Sequence, residues 1–268
     1  MHASEEFAPP AGSDTHYALL YVPSALRTPL ALVEAFRGQL VSVPLLASDP
    51  VVTMAKLTWW GEELGRLAAG GPRHALTRAL APLVAEDPAL LPALDALVAG
   101  IAGSLHGAGH VDDAARQAAF DATHGPLWEY VARRCGAGNP QAARRLGVRL
   151  EIAYALRDLR RQVEAGTVPI PRDTLAAAEV VAFTGGAGTP LTRAVAADLA
   201  ACRAAITEGL ATLPRAERRR LLPLVTLARI GLALLAEIER DGCQLWDRRL
   251  ELPPLRKLWL AWRTRFIA

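Results

Sequence analysis

The residues with the most chemical potential lie between Leu146 and Pro171, in LGVRLEIAYALRDLRRQVEAGTVPIP. Glu151, Tyr154, Asp158 and Gln162 recur at three- and four-residue steps, so on a helix they share one polar face. That face offers carboxylates, a phenol and an amide. Bordering a cavity, these groups could hold a cation or hydrogen-bond an oxygen-bearing ligand; bordering solvent, they do neither. Ile152, Leu156, Leu159 and Val163 form a separate apolar stripe, and together the two stripes predict one long helix. Gly166 closes it, and Pro169 and Pro171 keep it closed. Arg157 and Arg160 flank the apolar stripe. Beside Arg161 they could bind a diphosphate only if they faced a cavity, since charge runs on helices are usually solvated.

The elements that position this face read as helices throughout. Ala, Leu and Arg dominate the 268 residues, aromatics are only 6%, and few stretches alternate polar with apolar. The expected fold is all-α in one domain over residues 16–268, with residues 1–15 a disordered leader. Tyr17 to Val43 reads as a helical hairpin turning between Pro23 and Pro29. Helices follow over 51–67, 73–84, 88–109, around 120–136, 191–213 and 214–240. Trp59 and Trp60 are neighbours, so only one can face the core squarely, and packing is their expected role.

A formal charge of +3 is too small for a dedicated nucleic-acid binder, and no nucleic-acid partner is expected. Cys135, Cys202 and Cys243 are too widely spaced for a zinc pattern, odd in number, and read as buried small hydrophobes in a reducing, cytoplasmic setting. The first fourteen residues have no signal-peptide pattern. The run Leu221 to Ile238 is interrupted by Pro223 and Arg229, so no uninterrupted bilayer-spanning segment is expected. His106, His110 and Asp112 have metal-like spacing, but Gly107 and Gly109 argue against the firm helix such a site needs. Glu237 with Asp241 and Asp247 with Glu251 lie among arginines, and surface ion pairing is their expected use.

The last fifteen residues, 254–268, form a basic helix with Leu255, Leu258, Trp259, Trp262 and Phe266 on one side. Arg256, Lys257, Arg263 and Arg265 surround the other side. Such a helix suits peripheral contact with a membrane, where indole sits at headgroup depth. With no helix-breaking linker before it, packing of the aromatic face onto the bundle is the expectation.

The run ALRDLRRQVEAGTVPIP resembles the second aspartate-rich segment of the squalene and phytoene synthase family, roughly Asn-x-x-Arg-Asp-x-x-Glu-Asp followed by Gly-Arg and a proline-closed turn. Arg157, Asp158, Gly166 and Pro171 match it. Tyr154 stands at the Asn position, Arg161 and Gln162 at the Glu-Asp pair, and Thr167 at the Arg. The first aspartate-rich motif, Phe-x-Arg-x-x-Asp-Asp-x-x-Asp, is reduced to Phe36, with Gly38 at the arginine and Val41 and Ser42 at the paired acids. KLTWWGEEL…GGPRHALTRAL resembles a segment most marked in a divergent branch that includes mitochondrial complex I assembly factors. FDATHGPLWEYVARRCG is similar to the family's central helix, in which His124 reads as a packed or exposed histidine. Ile238, Glu239, Gly242, Arg248 and Lys257 match the closing segment.

The resemblance implies the helical bundle of the trans-prenyl diphosphate synthases, with prenyl diphosphate ionised by magnesium held between two acid-rich helices. With those acids degraded, it implies a non-catalytic protein that binds a prenyl lipid or serves as an assembly factor. No catalytic residue, metal ligand or cofactor is then expected, and Tyr154, Arg157 and Asp158 remain as ligand-binding residues. The alternative is an active head-to-head prenyl transferase on farnesyl or geranylgeranyl diphosphate, with magnesium as cofactor and ionisation dependent on Asp158.

Overall fold

The computed structural model describes residues 6–46, 49–105, 107 and 109–267, and these residues form helices and loops without a strand. The helices are α1 (Asp14–Leu19), α2 (Ser24–Leu46), α3 (Pro50–Ala68), α4 (Ala75–Glu86), α5 (Leu90–Ser104) and α6 (Asp113–Arg134). They continue with α7 (Pro140–Arg157), α8 (Leu159–Glu164), α9 (Arg172–Ala177), α10 (Pro190–Thr212), α11 (Arg215–Arg220), α12 (Leu222–Arg240) and α13 (Pro254–Ile267). Side-chain caps set several starts: Ser13, Asp49, Asp112, Asn139 and Thr189 each accept a hydrogen bond from a backbone N–H in the first turn.

The central pair is α6 and α7, and its closeness has a local cause. A Cβ on Gly147 would stand 2.3 Å from the Trp128 ring, so only glycine admits the indole between the two helices. Gly100 does the same for α5 against Thr123 of α6, at 2.1 Å. Around this pair Phe36, Leu94, Leu97, Ile152 and Ile230 belong to one continuous core. Trp60 is buried in it and Trp59 is 40% exposed, which divides the adjacent tryptophans as expected. All three cysteines are buried and unpaired.

Several expectations need correction. The first turn lies at residues 20–23, and Pro29 sits inside α2, where its missing N–H costs one rung near the helix start. The helix expected across 146–166 is two: Asp158, at φ −93° and ψ 23°, ends α7 and α8 begins beyond it. A second break at Leu221 divides the expected 214–240 helix into α11 and α12. Residues 12–15, expected within a disordered leader, are tied to the bundle. Ser13 caps α1, Asp14 pairs with the Lys257 ammonium at 2.7 Å, and that ammonium also donates to the Gly12 carbonyl.

By length and composition α2 alone among the described helices could cross a membrane. Leu30, Val33, Phe36 and Leu40 nevertheless face the core of the bundle. The final helix overturns the packing expectation. Its packed side is Lys257, Ala261 and Thr264, and the small Ala261 side chain permits close approach. Trp259, Trp262 and Phe266 remain about half exposed, and Leu255 is 79% exposed. Arg263 and Arg265 fold back over two of these rings, the Arg263 guanidinium 5.1 Å from the centre of Trp259 and that of Arg265 5.4 Å from Phe266.

Candidate functional site

One large cavity, about 1050 Å³, opens among α2, α5, α6, α7 and α8, with α13 and residues 11–15 on its remaining side. Its volume is that of a generous small-molecule site. The predicted polar face of α7 supplies one wall: Glu151, Tyr154, Asp158 and Gln162 all line it, as do Arg157 and Arg161. The three expected ligand-binding residues, Tyr154, Arg157 and Asp158, therefore meet there. Across from them α2 contributes Arg37, Gly38, Val41 and Ser42.

At the α2–α7 end the governing contact is one the sequence did not single out. The Arg37 guanidinium donates to Glu34 on its own helix at 2.8 Å and to Glu151 on α7 at 3.0 Å. The other Glu151 oxygen accepts from the Trp128 indole N–H at 3.1 Å, which fixes the carboxylate. Glu151 is 4% exposed. Burial opposes the charge on Arg37, but Glu151 and Glu34 more than offset it and hold the guanidinium firmly protonated.

His124 and Tyr154 sit beside this pair in their neutral forms. Burial pushes the His124 imidazole below its usual range, with Glu151 opposing and Arg37 reinforcing the shift. Burial likewise drives the Tyr154 phenol well above its usual value, and Asp14 adds to it. The Nδ1 of His124 and the hydroxyl of Tyr154 are buried and have no hydrogen-bond partner among the described residues. His124, read from the sequence as a packed or exposed histidine, is a buried wall residue of the cavity 4.0 Å from Glu151.

The second polar group lies at the α7–α8 break. The Asp158 carboxylate takes a 2.7 Å hydrogen bond from Arg157 and another from Arg249 of the closing segment. Burial would raise its pKa, but Arg157 and Arg249 hold it below the usual carboxylate range. The Arg157 guanidinium also stacks 4.9 Å over the Tyr154 ring. Gly166 closes α8 at φ +84°, a left-handed conformation in which L side chains are strained.

The other sequence candidates have structural uses. Asp112 accepts a capping bond from the Ala115 N–H at 2.7 Å, and His110 packs edge-on to Phe120; His106 lies outside the described residues. Glu237 pairs with Arg240 and Arg256, Asp241 with Arg248, and Glu251 with Arg249. Asp247 departs from this pattern and accepts from the Gly186 N–H at 2.8 Å. Among the described residues no group of three or more His, Cys, Asp and Glu side chains is placed to hold a metal ion.

Comparison with known proteins gives this cavity a lineage. Residues 8–256 match the family model described as squalene/phytoene synthase. The chain belongs to the squalene/phytoene synthase family. Among solved structures it is similar to a dehydrosqualene synthase in complex with ligand, with a TM-score of 0.75 and 15% identity, covering 94% of this chain and 90% of that one. It is also similar to squalene synthase HpnC from Alicyclobacillus acidocaldarius, with a TM-score of 0.65 and 21% identity over 85% and 88% of the two chains. At such identities the likeness is one of fold: this is the all-helical bundle of the isoprenoid synthases. None of the curated proteins matches the sequence.

Sequence reasoning missed Arg37, Arg249 and residues 11–15 of the cavity wall. Arg37 carried one available signal. It follows Phe36, which faces the core, and lies one turn beyond Glu34, so the two charges share a face. Arg249 and residues 11–15 reach the cavity through tertiary contacts that no local spacing encodes.

Proposed function

We propose that this family member holds a prenyl lipid in the cavity without ionising it, as a lipid-binding or assembly-type protein. The observation that carries this reading is the Arg37 guanidinium lying between Glu34 and Glu151. In the family frame α2 and α7 are the two helices whose carboxylates would grip magnesium. Here a tethered cation links carboxylates of those same helices.

The residues present do not fit a magnesium cluster. Magnesium requires an octahedral shell of oxygens, with carboxylates free to bind it. Glu151 is committed to Arg37 and Trp128, and Asp158 to Arg157 and Arg249. Val41 and Ser42, where the family pattern carries paired acids, offer no carboxylate. Expelling a diphosphate without such ions forfeits the charge stabilisation that makes ionisation fast. The assembly-type reading rests on the resemblance of the KLTWWGEEL segment to that divergent branch.

We further infer that the chain is cytoplasmic and meets membranes through α13. The three buried, unpaired cysteines support the first, and the exposed Trp259, Trp262 and Phe266, with Arg263 and Arg265 beside their rings, support the second. Burial holds Arg229 below its usual pKa, and Arg218 and Arg263 deepen that shift.

The test is direct. Purified protein incubated with farnesyl or geranylgeranyl diphosphate and magnesium should release no pyrophosphate, while native mass spectrometry of protein from its own cells should find a bound lipid. Pyrophosphate release that Asp158→Asn abolishes would instead establish a head-to-head prenyl transferase.

A further inference from the structure

The cavity's charge accounting restricts what can enter. Five cationic side chains line it: Arg37, Arg157, Arg161, Arg249 and Lys257. Arg37 is matched by Glu34 and Glu151, Arg157 and Arg249 share Asp158, Arg249 also meets Glu251, and Lys257 is held by Asp14. Arg161 has no ion pair among the described residues and is exposed. At the α2–α7 end Arg37 is committed to Glu151 of the cavity wall and to Glu34 behind it, so its charge is already matched within the protein.

A diphosphate pushed into that end would lose its hydration and find every lining arginine and lysine except the exposed Arg161 already paired with a carboxylate. Removing a multiply charged group from water is costly unless it is paired. An uncharged oxygen faces no such penalty. It needs only a hydrogen-bonding partner, and the Tyr154 hydroxyl and His124 Nδ1 are both neutral, buried and unpartnered. Around them Ala119, Phe120, Ala155, Val41 and Ile101 supply apolar surface for a chain.

We propose that the cavity selects isoprenoids with an uncharged oxygen head, such as a prenyl alcohol, and discriminates against the corresponding diphosphate, with Tyr154 and His124 meeting the oxygen. This rests on the lipid-holding reading above and adds the head-group class to it. It also accounts for a cavity of about 1050 Å³ whose arginines and lysine, Arg161 apart, are turned against the protein's own carboxylates.

The experiment compares geranylgeraniol, squalene and geranylgeranyl diphosphate by thermal-shift titration and native mass spectrometry of the full chain, each with and without magnesium. Geranylgeraniol should bind about tenfold or more tighter than the diphosphate, a difference of about 1.4 kcal/mol or more, and magnesium should leave it unchanged. Tyr154→Phe should weaken the alcohol about three- to tenfold and leave squalene untouched, which also shows that the variant folds. Tighter binding of the diphosphate overturns the proposal, and if that binding requires magnesium the non-catalytic reading falls too. Equal binding of alcohol and squalene, with Tyr154→Phe silent, removes head-group recognition while leaving a lipid-holding cavity. Binding of none of the three overturns the lipid-holding reading and this proposal together.

Discussion

Two inward-facing arginines, the partly buried Arg37 and the fully buried Arg116, do opposite work with the same chemistry. Arg116 is 1% exposed and makes paired 2.6 Å hydrogen bonds to Asp198 of α10. It adds contacts to Asp113 and the Pro169 carbonyl, so it joins α6, α10 and the segment after α8. Arg37 also bridges two helices, but the buried His124 Nδ1 and Tyr154 hydroxyl beside it have no partner. A fully satisfied polar cluster fixes a fold. One bordered by unpaired groups and a cavity retains capacity for a ligand.

The contrast is sharpest in stability. Asp198→Ala strands a buried guanidinium and should cost about 3–5 kcal/mol, read from urea unfolding, because a broken buried pair leaves an uncompensated charge. Arg37→Met should cost less, about 1–3 kcal/mol, because Glu151 borders the cavity and can take up water once the guanidinium is gone. Equal losses in the two variants would erase the distinction between latch and site.

A third carboxylate separates packing from pH. Burial would push the Glu63 carboxyl up, but hydrogen bonds from the His74 N–H, the Thr77 hydroxyl, Arg66 and the Arg73 N–H hold it down to about 2. A depressed carboxylate stabilises the fold above its unfolded pKa and loses that contribution as pH falls through the folded value. Glu63→Gln should therefore cost about 1–3 kcal/mol at neutral pH, and the gap to the parent should narrow between about pH 4.5 and pH 2. A gap constant with pH would refute the ionised role of Glu63.

His124 gives a smaller effect of a different kind. Its imidazole is held neutral in the fold, so the unfolded chain binds the proton more readily and stability falls as pH drops through about 6.5. His124→Gln should flatten that slope, and Arg37→Met should move the His124 titration upward in a histidine-selective NMR experiment. The smallest expected change in stability is at the exposed aromatics. Trp259→Ala with Trp262→Ala should shift unfolding by about 0.5 kcal/mol or less per residue. The same pair should nonetheless reduce sedimentation with anionic vesicles, and unchanged sedimentation would remove the membrane face.

Much of the frame was legible along the chain. Helical periodicity located the bundle, and the three- and four-residue spacing of Glu151, Tyr154, Asp158 and Gln162 identified the wall that faces the cavity. The boundaries were less legible. The break at Asp158 follows from ion pairs with Arg157 and a distant Arg249, so a local period reads straight through it. Arg37 was hidden for a related reason. A motif frame directs attention to Gly38, Val41 and Ser42, where carboxylates are missing, and away from the guanidinium one residue earlier. The exposed tryptophans of α13 were misread because amphipathicity shows that a helix has two sides. It does not say which one docks, and here small Ala261 and Thr264 won the contact.

Lys257 gives the molecule a clasp. One ammonium grips the Asp14 carboxylate and the Gly12 carbonyl from the far end of the sequence, so the first helix and the last are buckled together over the same chamber. Lys257→Met would remove both grips at once, and amide exchange across residues 12–19 should quicken with it.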